Sequence, residues 1–293
     1  MRLRSLAPAK VNLSLFLGGP RADGRHRLVT VFESLSLADT VTLEVAGEED
    51  VVVCPGVVGE NLAQRALAAL RTRGWDGPPV RISIEKRIPV AAGMAGGSAD
   101  AAATLRLAMA LAPGRAEEVD RIAAELGADV PSQLLPGVAL GTGAGEIVEH
   151  FEALPEHACL VLPSEFGLAT PEVFREADRL GLPRTDAELD ARYEALLAAL
   201  APEPGLPAEL MVNDLQGAAV SLCPWCAGAM ESLRAVGAEH AMVSGSGPTV
   251  VGLWWGAEAA DRARAAAVRL AATHPRAVVA RPVAAEYAAP SLT

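Results

Sequence analysis

The 293-residue sequence is poor in aromatic residues, in cysteine and in positive charge. Aromatic residues make up 4% of a chain that is 51% hydrophobic, so alanine, valine and leucine must build most of the core. The formal net charge of −11 argues against general nucleic-acid binding, which depends on basic surfaces. The sequence also lacks an apolar run long enough for a membrane-spanning helix, so no membrane partner is expected. These absences indicate a globular protein of one large or two ordinary domains.

The four cysteines, at positions 54, 159, 223 and 226, are too few for a disulfide framework in a chain of this size. Cys223 and Cys226 have the spacing of a redox or zinc pair. The sequence has no second close pair that could complete a four-ligand zinc site. We therefore interpret both as ordinary cysteines of a helix.

The first 19 residues have some features of a signal peptide, a basic start followed by apolar residues. However, Lys10, Asn12 and Ser14 interrupt the apolar part, and the small residues that would mark a cleavage site precede it. The sequence therefore predicts a cytoplasmic protein.

The stretch from Pro89 to Ala103, PVAAGMAGGSADAAA, has the features of a phosphate-binding loop. Its three glycines let backbone N–H groups turn toward one point and let an anion approach without clashes. Ser98 is a good helix cap, and the alanine-rich segment after it favours a helix whose N-terminus faces the anion. The spelling matches neither G-x-x-x-x-G-K-[ST] nor G-x-G-x-x-G. A glycine-rich turn before a buried alanine helix is the alternative.

Three further places carry polar chemistry. Lys10 stands in an apolar strand-like stretch, where it either snorkels at an edge or points into a site. Asp129, in LGADVP, either caps the short helix that Pro131 begins or acts in a site, and the two roles are compatible. The small-residue turn SGSGP at 244–248 is either a hairpin loop or a second set of backbone N–H groups near a phosphate.

Hydrophobic periodicity predicts strands and helices throughout the chain. Strands are predicted at 27–37 and 40–45 with Asp39 at the turn between them, and the C-terminal third favours helices on one face of an antiparallel sheet. Helices are predicted at 61–73, 99–111, 116–126, 171–180, 187–200, 224–236 and 257–273.

PAKVNL at 8–13, the glycine loop at 89–103 and SGSGPT at 244–249 resemble, in this order, the three motifs of the galactokinase, homoserine, mevalonate and phosphomevalonate (GHMP) kinase superfamily. RADGRH at 21–26, ENL at 60–62, GADVP at 127–131 and NDL at 213–215 are similar to one branch of it. That branch uses ATP to phosphorylate the 2-hydroxyl of 4-diphosphocytidyl-2-C-methyl-D-erythritol in the non-mevalonate route to isoprenoid precursors. The resemblance therefore implies a small-molecule kinase.

The resemblance also implies a two-domain α+β fold. Residues 1–153 are expected to form an N-terminal domain like domain 2 of ribosomal protein S5, and residues 154–293 a ferredoxin-like C-terminal domain. ATP and Mg²⁺ are the implied cofactors, with a small-molecule substrate, no nucleic acid and no membrane as partners. A monomer and a homodimer both stay open.

The family's functional residues carry over onto matching positions of this chain. The implied catalytic pair is Lys10 and Asp129, with Asp129 accepting the proton of the acceptor hydroxyl and Lys10 orienting it. The implied ATP contacts are Asn61, Lys86, Gly93, Met94, Ala95, Gly96, Gly97 and Ser98. The implied acceptor contacts are Asn12, Arg25, His26, Thr170 and Phe174, with His26 and Phe174 on the cytosine. No carboxylate ligand for Mg²⁺ is implied, and Ser98 is the expected contact.

Two departures from the family pattern bear on the acceptor and on the loop. Arg25 stands where the family has a tyrosine that sandwiches the cytosine, and a guanidinium can also lie flat on a base. Ala91, Ala92 and Ala95 replace common glycines of the loop without adding charge. Two alternatives stay open, a diverged GHMP kinase with another alcohol acceptor and a non-catalytic nucleotide-binding relative.

Overall fold

A long antiparallel hairpin is the backbone of the larger of two sheets in the computed structural model, which describes residues 1–57, 59, 61–89, 92–114, 116–201 and 204–293. Strand β1 (Arg2–Pro20) pairs with β2 (His26–Val45) along almost its whole length, with irregular register at three places. The first half of β2 also pairs with β5 (Val138–Thr142), and its second half with β4 (Val80–Glu85). The sheet is completed by β3 (Val51–Val53), β6 (Ile147–Phe151) and β11 (Ser291–Leu292).

The prediction of two strands separated by a turn at Asp39 is wrong, because β2 continues through that residue. Asp39 is completely buried and accepts hydrogen bonds from the backbone N–H groups of Arg87 and Ile88. Aspartate is typical of turns because its side chain pairs with local backbone. Here the partners lie almost 50 residues away, so tertiary contacts override the local preference.

Helices of the first half cover the large sheet and carry the alanine-rich core. They are α1 (Leu62–Thr72), α2 (Gly96–Leu111), α3 (Ala116–Leu126) and α4 (Val130–Leu134). Alanines 99, 101, 102, 103 and 108 of α2 are buried against α1 and the sheet. Small side chains allow this helix to lie close to its neighbours, which explains how a core with few aromatic residues is filled.

The smaller sheet has the strand order β10-β7-β9-β8 and is antiparallel throughout. Its strands are β7 (His157–Leu162), β8 (His240–Val243), β9 (Val250–Trp255) and β10 (Val278–Ala280). The helices of this half are α5 (Thr170–Arg179), α6 (Asp186–Leu200), α7 (Gln216–Leu222), α8 (Trp225–Ala235) and α9 (Ala259–Leu270). The predicted α+β architecture, with helices packed on an antiparallel sheet, is confirmed.

The two halves share packed surfaces. Strand β1 contributes buried side chains to all three hydrophobic clusters that the described residues form, and α6 packs against β1 and β2. A turn of 3-10 helix (Ala285–Ala288) leads into β11, which returns the chain end to β1. Among the described residues, the structure has no helix that is both long and apolar enough to cross a membrane.

Candidate active site

A cavity of about 510 Å³ opens where β1, the start of α2 and the turn between β8 and β9 meet. Most of the predicted site residues line it: Lys10, Asn12, Asn61, Lys86, Gly93, Met94, Ala95, Gly96, Gly97, Ser98, Asp129, Thr170 and Phe174. A neighbouring cleft of about 400 Å³ contains the other two, Arg25 and His26, and shares Thr170 and Phe174 with the cavity. The fold thus brings all the predicted site residues to one continuous depression.

Helix α2 begins at Gly96, and Ala95 occupies the cap position in the left-handed conformation, with φ of 55°. Ser98 is therefore the third residue of the helix, and the prediction that it caps the helix is wrong. The first backbone N–H groups of α2 lack partners within the helix, and the helix dipole adds positive potential there. Anions bind such N-termini, so this end of the cavity suits phosphate groups. Val90 and Ala91 of the predicted loop lie outside the described residues.

Gly93 allows the loop before α2 to touch the turn between β8 and β9. Its φ is +73°, and a Cβ atom at this position would lie 2.8 Å from the carbonyl oxygens of Ser244 and Gly247. An L-residue would be strained in that conformation and would also collide with backbone. The close approach of two glycine-rich segments is therefore what shapes this wall of the cavity.

Lys86 is held between two carboxylates. Its ammonium group pairs with Asp39 and, at 2.7 Å, with Oδ2 of Asp100, which lies one turn into α2. Burial alone lowers the pKa of Lys86, but the two carboxylates outweigh it and the net pKa is raised. Burial raises the pKa of Asp100 to about 7, against the opposing effect of Lys86. This ion-paired group joins the end of β4 to the phosphate end of α2.

Asp39 and Asp100 are functional-site neighbours that the sequence reasoning missed. Asp100 is the one acid in an otherwise alanine-rich helix start, which is a signal the sequence does contain. Asp39 gave no such signal, since its partners come from a distant part of the chain.

Lys10 lies on β1 and reaches the cavity beside Asp129. The distance from Lys10 Nζ to Asp129 Oδ1 is 3.6 Å, and the lysine is buried while the aspartate is half-exposed. The backbone N–H of Lys10 donates to the carbonyl of Met94, which ties β1 to the glycine loop. A buried ammonium group and an accessible carboxylate therefore face the same space beside the phosphate end of α2.

Asn12 links Lys10 to the core of the hairpin. Lys10 Nζ donates to Asn12 Oδ1 at 2.7 Å, and Asn12 Nδ2 donates to the Thr30 hydroxyl at 2.7 Å. Thr30 in turn donates to the carbonyl of Ser14 at 2.6 Å. This relay fixes the amide so that its oxygen faces the ammonium group. Asn12 thus acts on Lys10 directly, whatever contact it makes with a bound substrate.

Asp129 occupies the position before α4, but its side chain makes no capping hydrogen bond. Of the two roles that the sequence allowed, the local capping role is therefore not observed. The carboxylate is left to the cavity and to Lys10. Asn61, by contrast, does cap α1, because its Oδ1 accepts from the backbone N–H of Gln64 at 2.9 Å.

The neighbouring cleft is walled by side chains. The rings of His26 and Phe174 lie 5.1 Å apart with planes tilted by 37°, and His26 Nε2 lies 2.8 Å from Asp178 Oδ1. A carboxylate only accepts hydrogen bonds, so Nε2 must carry the hydrogen of this contact, and Nδ1 is the other nitrogen of the ring. Arg25 is exposed and pairs with Asp23 at 3.1 Å. The cleft thus combines aromatic surface with the guanidinium groups of Arg25 and Arg175 and the carboxylate of Asp178.

The hydroxyl groups of Thr170 and Ser246 lie 3.0 Å apart, which connects α5 to the turn between β8 and β9. Both residues line the cavity.

Cys223 and Cys226 are free and buried, and burial raises the pKa of the Cys226 thiol to about 12. A thiol of that pKa is inert, which agrees with an ordinary cysteine. Cys226 lies in α8 but Cys223 lies between α7 and α8, so the prediction that both are cysteines of a helix is wrong for Cys223.

Comparison with known proteins agrees with this geometry. Residues 61–137 match the family model "GHMP kinases N terminal domain", and residues 194–272 match "GHMP kinases C terminal". A 4-diphosphocytidyl-2-C-methyl-D-erythritol kinase of Corynebacterium efficiens is 44% identical, with 85% of this chain and 84% of that protein covered. The chain belongs to the GHMP kinase family.

Solved structures give the same result. A crystal structure of 4-(cytidine 5'-diphospho)-2C-methyl-D-erythritol kinase is similar with a TM-score of 0.77 and 36% identity, covering 95% of this chain and 98% of that one. The homoserine kinase of Cytophaga hutchinsonii has a TM-score of 0.69 at 17% identity, with 100% and 97% covered, which shows a shared fold alone. The chain is an ATP-dependent small-molecule kinase.

Proposed function

We propose that this protein transfers the γ-phosphoryl group of ATP to the 2-hydroxyl of 4-diphosphocytidyl-2-C-methyl-D-erythritol, a step of the non-mevalonate route to isoprenoid precursors. The observation that carries the proposal is the pair of adjoining binding regions. A helix N-terminus faces one part of the cavity, and aromatic side chains wall the adjoining cleft. The relatives of 41–44% identity carry the name of this kinase.

In the proposed reaction the phosphates of ATP lie against Gly93, Gly96, Gly97 and the first turn of α2. Backbone N–H groups and the helix dipole offset their negative charge. Met94, Ala95 and Ser98 complete this wall, and Asn61 and Lys86, which also line the cavity, are proposed to lie near the nucleotide. Because Lys86 is ion-paired with both Asp39 and Asp100, we propose that it holds the loop in shape rather than acting as a free cation.

Asp129 is the proposed base for the acceptor hydroxyl, and Lys10 the group that orients it and offsets charge on the incoming oxygen. The 3.6 Å between Lys10 Nζ and Asp129 Oδ1 leaves both groups within reach of one small acceptor. The base need not be strong, because phosphoryl transfer depends chiefly on alignment and on electrostatic stabilisation. Asn12 holds the ammonium group in place through the relay to Thr30.

The cytosine is proposed to lie in the cleft of Arg25, His26 and Phe174. Phe174 offers a ring for stacking, and Nδ1 of His26 is the ring nitrogen proposed to hydrogen-bond the cytosine. Arg25 offers a flat cation in place of the aromatic partner that the family has there. Thr170 lies between this cleft and the phosphate side.

We propose Mg²⁺ as the accompanying cation. The donor set suits it, because the Ser98 hydroxyl lines the cavity and Oδ1 of Asp100, two residues further on, is buried with no hydrogen-bond partner among the described residues. Of these, Ser98 is the residue proposed to contact the ion, which would supply positive charge next to the phosphates. We also propose the cytoplasm as the location, since the cell keeps its ATP there.

The test is a product analysis. Purified protein is incubated with MgATP and, in separate reactions, with the cytidylylated substrate, homoserine and mevalonate, and products are read by phosphorus NMR. We expect a new phosphomonoester signal with the cytidylylated substrate alone. Turnover of homoserine or mevalonate without it would replace this proposal with a diverged acceptor, and an absence of transfer to any alcohol would indicate a non-catalytic relative.

A further inference from the structure

A short segment that joins the two halves of the protein runs behind the active site. Residues 212–214 pair with β1: the N–H of Leu15 donates to the carbonyl of Val212 at 2.7 Å, and the N–H of Asp214 donates to that of Leu15 at 2.9 Å. Asp214 also accepts from the N–H of Leu17 and forms an ion pair with Arg184. Asn213 lies between Val212 and Asp214 and is therefore held at a fixed place against β1.

The buried side-chain amide of Asn213 forms hydrogen bonds with the backbone of the C-terminal half through both its nitrogen and its oxygen. Nδ2 donates to the carbonyl oxygens of Val243 and Gly245, at 2.8 Å in both cases. Oδ1 accepts from the N–H of Leu215 at 3.0 Å. One amide hydrogen is thus bonded to the end of β8, and the other to the turn Ser244–Pro248 that follows it. Aspartate, which has the same shape, could not make these two donations.

The turn that Asn213 holds is packed against the proposed catalytic lysine. Gly245 has φ of +55°, and a Cβ atom there would lie 3.0 Å from Asn12 Oδ1 and 3.4 Å from Lys10 Nζ. The backbone of Gly245 therefore backs the ammonium group and its amide partner directly. The same turn touches Gly93 of the phosphate loop and, through Ser246, Thr170.

Asn213 itself lies one layer behind the cavity wall, to which Gly245 and Ser246 belong. One of its two donated bonds ends on the turn that touches Lys10, the phosphate loop and α5 together, and the other ends on Val243, the strand residue that leads into this turn. A residue that merely filled the core would not need this set of partners. A displaced turn would move the support of Lys10, whereas the N-terminus of α2 is also held by the ion pair of Asp100 with Lys86, which does not involve the turn.

We propose that Asn213 is a positioning residue for phosphoryl transfer, which acts through the turn Ser244–Pro248 to hold Lys10 in line with Asp129 and the phosphates. It touches neither ATP nor the acceptor. Its removal should therefore lower kcat more than it weakens ATP binding. The inference rests on the kinase activity proposed above, but on no particular acceptor, since any alcohol that the parent chain phosphorylates can serve.

The experiment compares Asn213→Asp with the parent chain in kcat, in calorimetric affinity for a non-hydrolysable ATP analogue and in thermal unfolding. In Asn213→Asp a carboxylate oxygen faces the two carbonyl oxygens, so the turn is pushed away. We expect kcat to fall about 100-fold, the scale of a misplacement of about 1 Å, with analogue affinity changed less than about threefold. An unchanged kcat, or a loss of kcat matched by an equal loss of analogue affinity, would overturn the proposal.

Gln216→Ala is the matched control. Its Oε1 accepts from the N–H of Val243 at 3.2 Å, so this variant loses a hydrogen bond to the same strand end but none to the turn. We expect a loss of thermal stability comparable to that of Asn213→Asp with kcat within twofold of the parent. An equal drop of kcat in Gln216→Ala would show a merely structural effect and would overturn the positioning role.

Gly245→Ala keeps the proposal testable if the Asn213 variant does not fold. It leaves Asn213 intact and puts a methyl group against Asn12 and Lys10. We expect the same selective loss of kcat, and an unchanged kcat in Gly245→Ala would refute the role of the turn. If the parent chain phosphorylates no alcohol, the proposed function fails, whereas equal kcat in parent and variants counts against Asn213 alone.

Discussion

The proposed phosphate side and the proposed acceptor side of the active site are built from different parts of the polypeptide. The phosphate side consists mainly of backbone, namely a glycine loop, the start of α2 and a second glycine-rich turn packed on Gly93. The acceptor cleft consists of side chains, including Arg25, His26 and Phe174. A backbone-built site tolerates side-chain changes that leave the glycines alone, whereas a side-chain site changes its ligand with one substitution. The first is suited to a common cosubstrate and the second to a particular acceptor.

Asp129 lies between the two sides, so its loss should stop the reaction and leave both binding steps intact. We expect Asp129→Asn to lower kcat by about 10³-fold, within the usual range for a general base, while ATP affinity stays within about twofold. Product formation and calorimetric ATP binding measure the two effects. The control is Asp120→Asn, an exposed aspartate on the preceding helix. Unchanged turnover in Asp129→Asn would reject the catalytic assignment.

A methyl group at Gly93 should damage the phosphate side selectively. Gly93→Ala adds a Cβ atom 2.8 Å from two carbonyl oxygens and at φ of +73°. Such strain costs on the order of 1–3 kcal/mol, so the KM for ATP should rise roughly 10- to 100-fold with little change in cytidine binding. The control is Gly228→Ala, at a glycine of α8 outside the cavity, where an added Cβ atom has no described atom within 4 Å. This variant should leave the KM for ATP unchanged. Similar ATP KM values in the two variants would contradict this explanation.

Removing the ring of Phe174 should damage the acceptor side selectively. Stacking of a base on an aromatic side chain contributes about 1–3 kcal/mol, so Phe174→Ala should raise the acceptor KM by roughly 5- to 150-fold. The KM for ATP should stay within about twofold, as measured in initial-rate assays. Phe166→Ala is the control, since Phe166 is exposed and lies outside both parts of the site. A change in the KM for ATP equal to that for the acceptor would remove the distinction between the sides.

Arg25→Tyr tests how the acceptor side has diverged. If arginine is a poorer partner for the base than tyrosine, the variant should bind cytidine nucleotides a few-fold more tightly, because a ring stacks without losing the hydration of a charge. Titration calorimetry with CDP measures this, and Arg121→Tyr, at an exposed site, controls for the change in charge. Weaker binding in Arg25→Tyr would show instead that arginine is an effective substitute.

The smallest expected effect concerns the contact that joins the two sheets. His157 on β7 lies 2.8 Å from Glu33 on β2 through Nε2, and its Nδ1 lies 2.7 Å from the carbonyl of Pro155. Burial lowers the pKa of His157, but Glu33 and this carbonyl raise it by more than burial lowers it, so the net pKa is raised. Both nitrogens then donate, and the histidine is charged when the pair is formed. The nearby Cys159 stays neutral, because burial raises the pKa of its thiol.

A raised histidine pKa stabilises the folded state fully below the unfolded value of about 6.5, and this contribution is lost as pH rises through the folded pKa. The midpoint of thermal unfolding should therefore fall modestly above pH 6.5. Glu33→Gln should have a flatter profile, which separates this effect from that of Asp100, whose raised pKa acts in the same direction. A parallel fall in the parent chain and in Glu33→Gln would refute the assignment to His157. Titration of active-site groups affects the parent chain and Glu33→Gln equally, so it should not change the difference between their unfolding midpoints.

Much of the fold and of the site could be predicted from the sequence where the cause is local. The bounds predicted for the helix at 116–126 are those observed, because apolar periodicity and flanking glycines determine them. The order of the three motifs at 8–13, 89–103 and 244–249 can also be read from the sequence. It was sufficient to predict the family and the set of residues that meet in the cavity.

Where the cause is non-local, the sequence was silent or misleading. Asp39 has the residue type of a turn but lies fully buried within a strand and holds Lys86, and Ala95 adopts a conformation that its type disfavours. Asn213 shows its role only through carbonyl groups about 30 residues away. The sequence by itself determined the phosphate loop, the helix behind it and the family, since these depend on backbone freedom and periodicity within a few residues. The tertiary structure alone decided how Lys10 is supported and which buried charges pair, because those energies depend on distances between segments that the chain brings together only on folding.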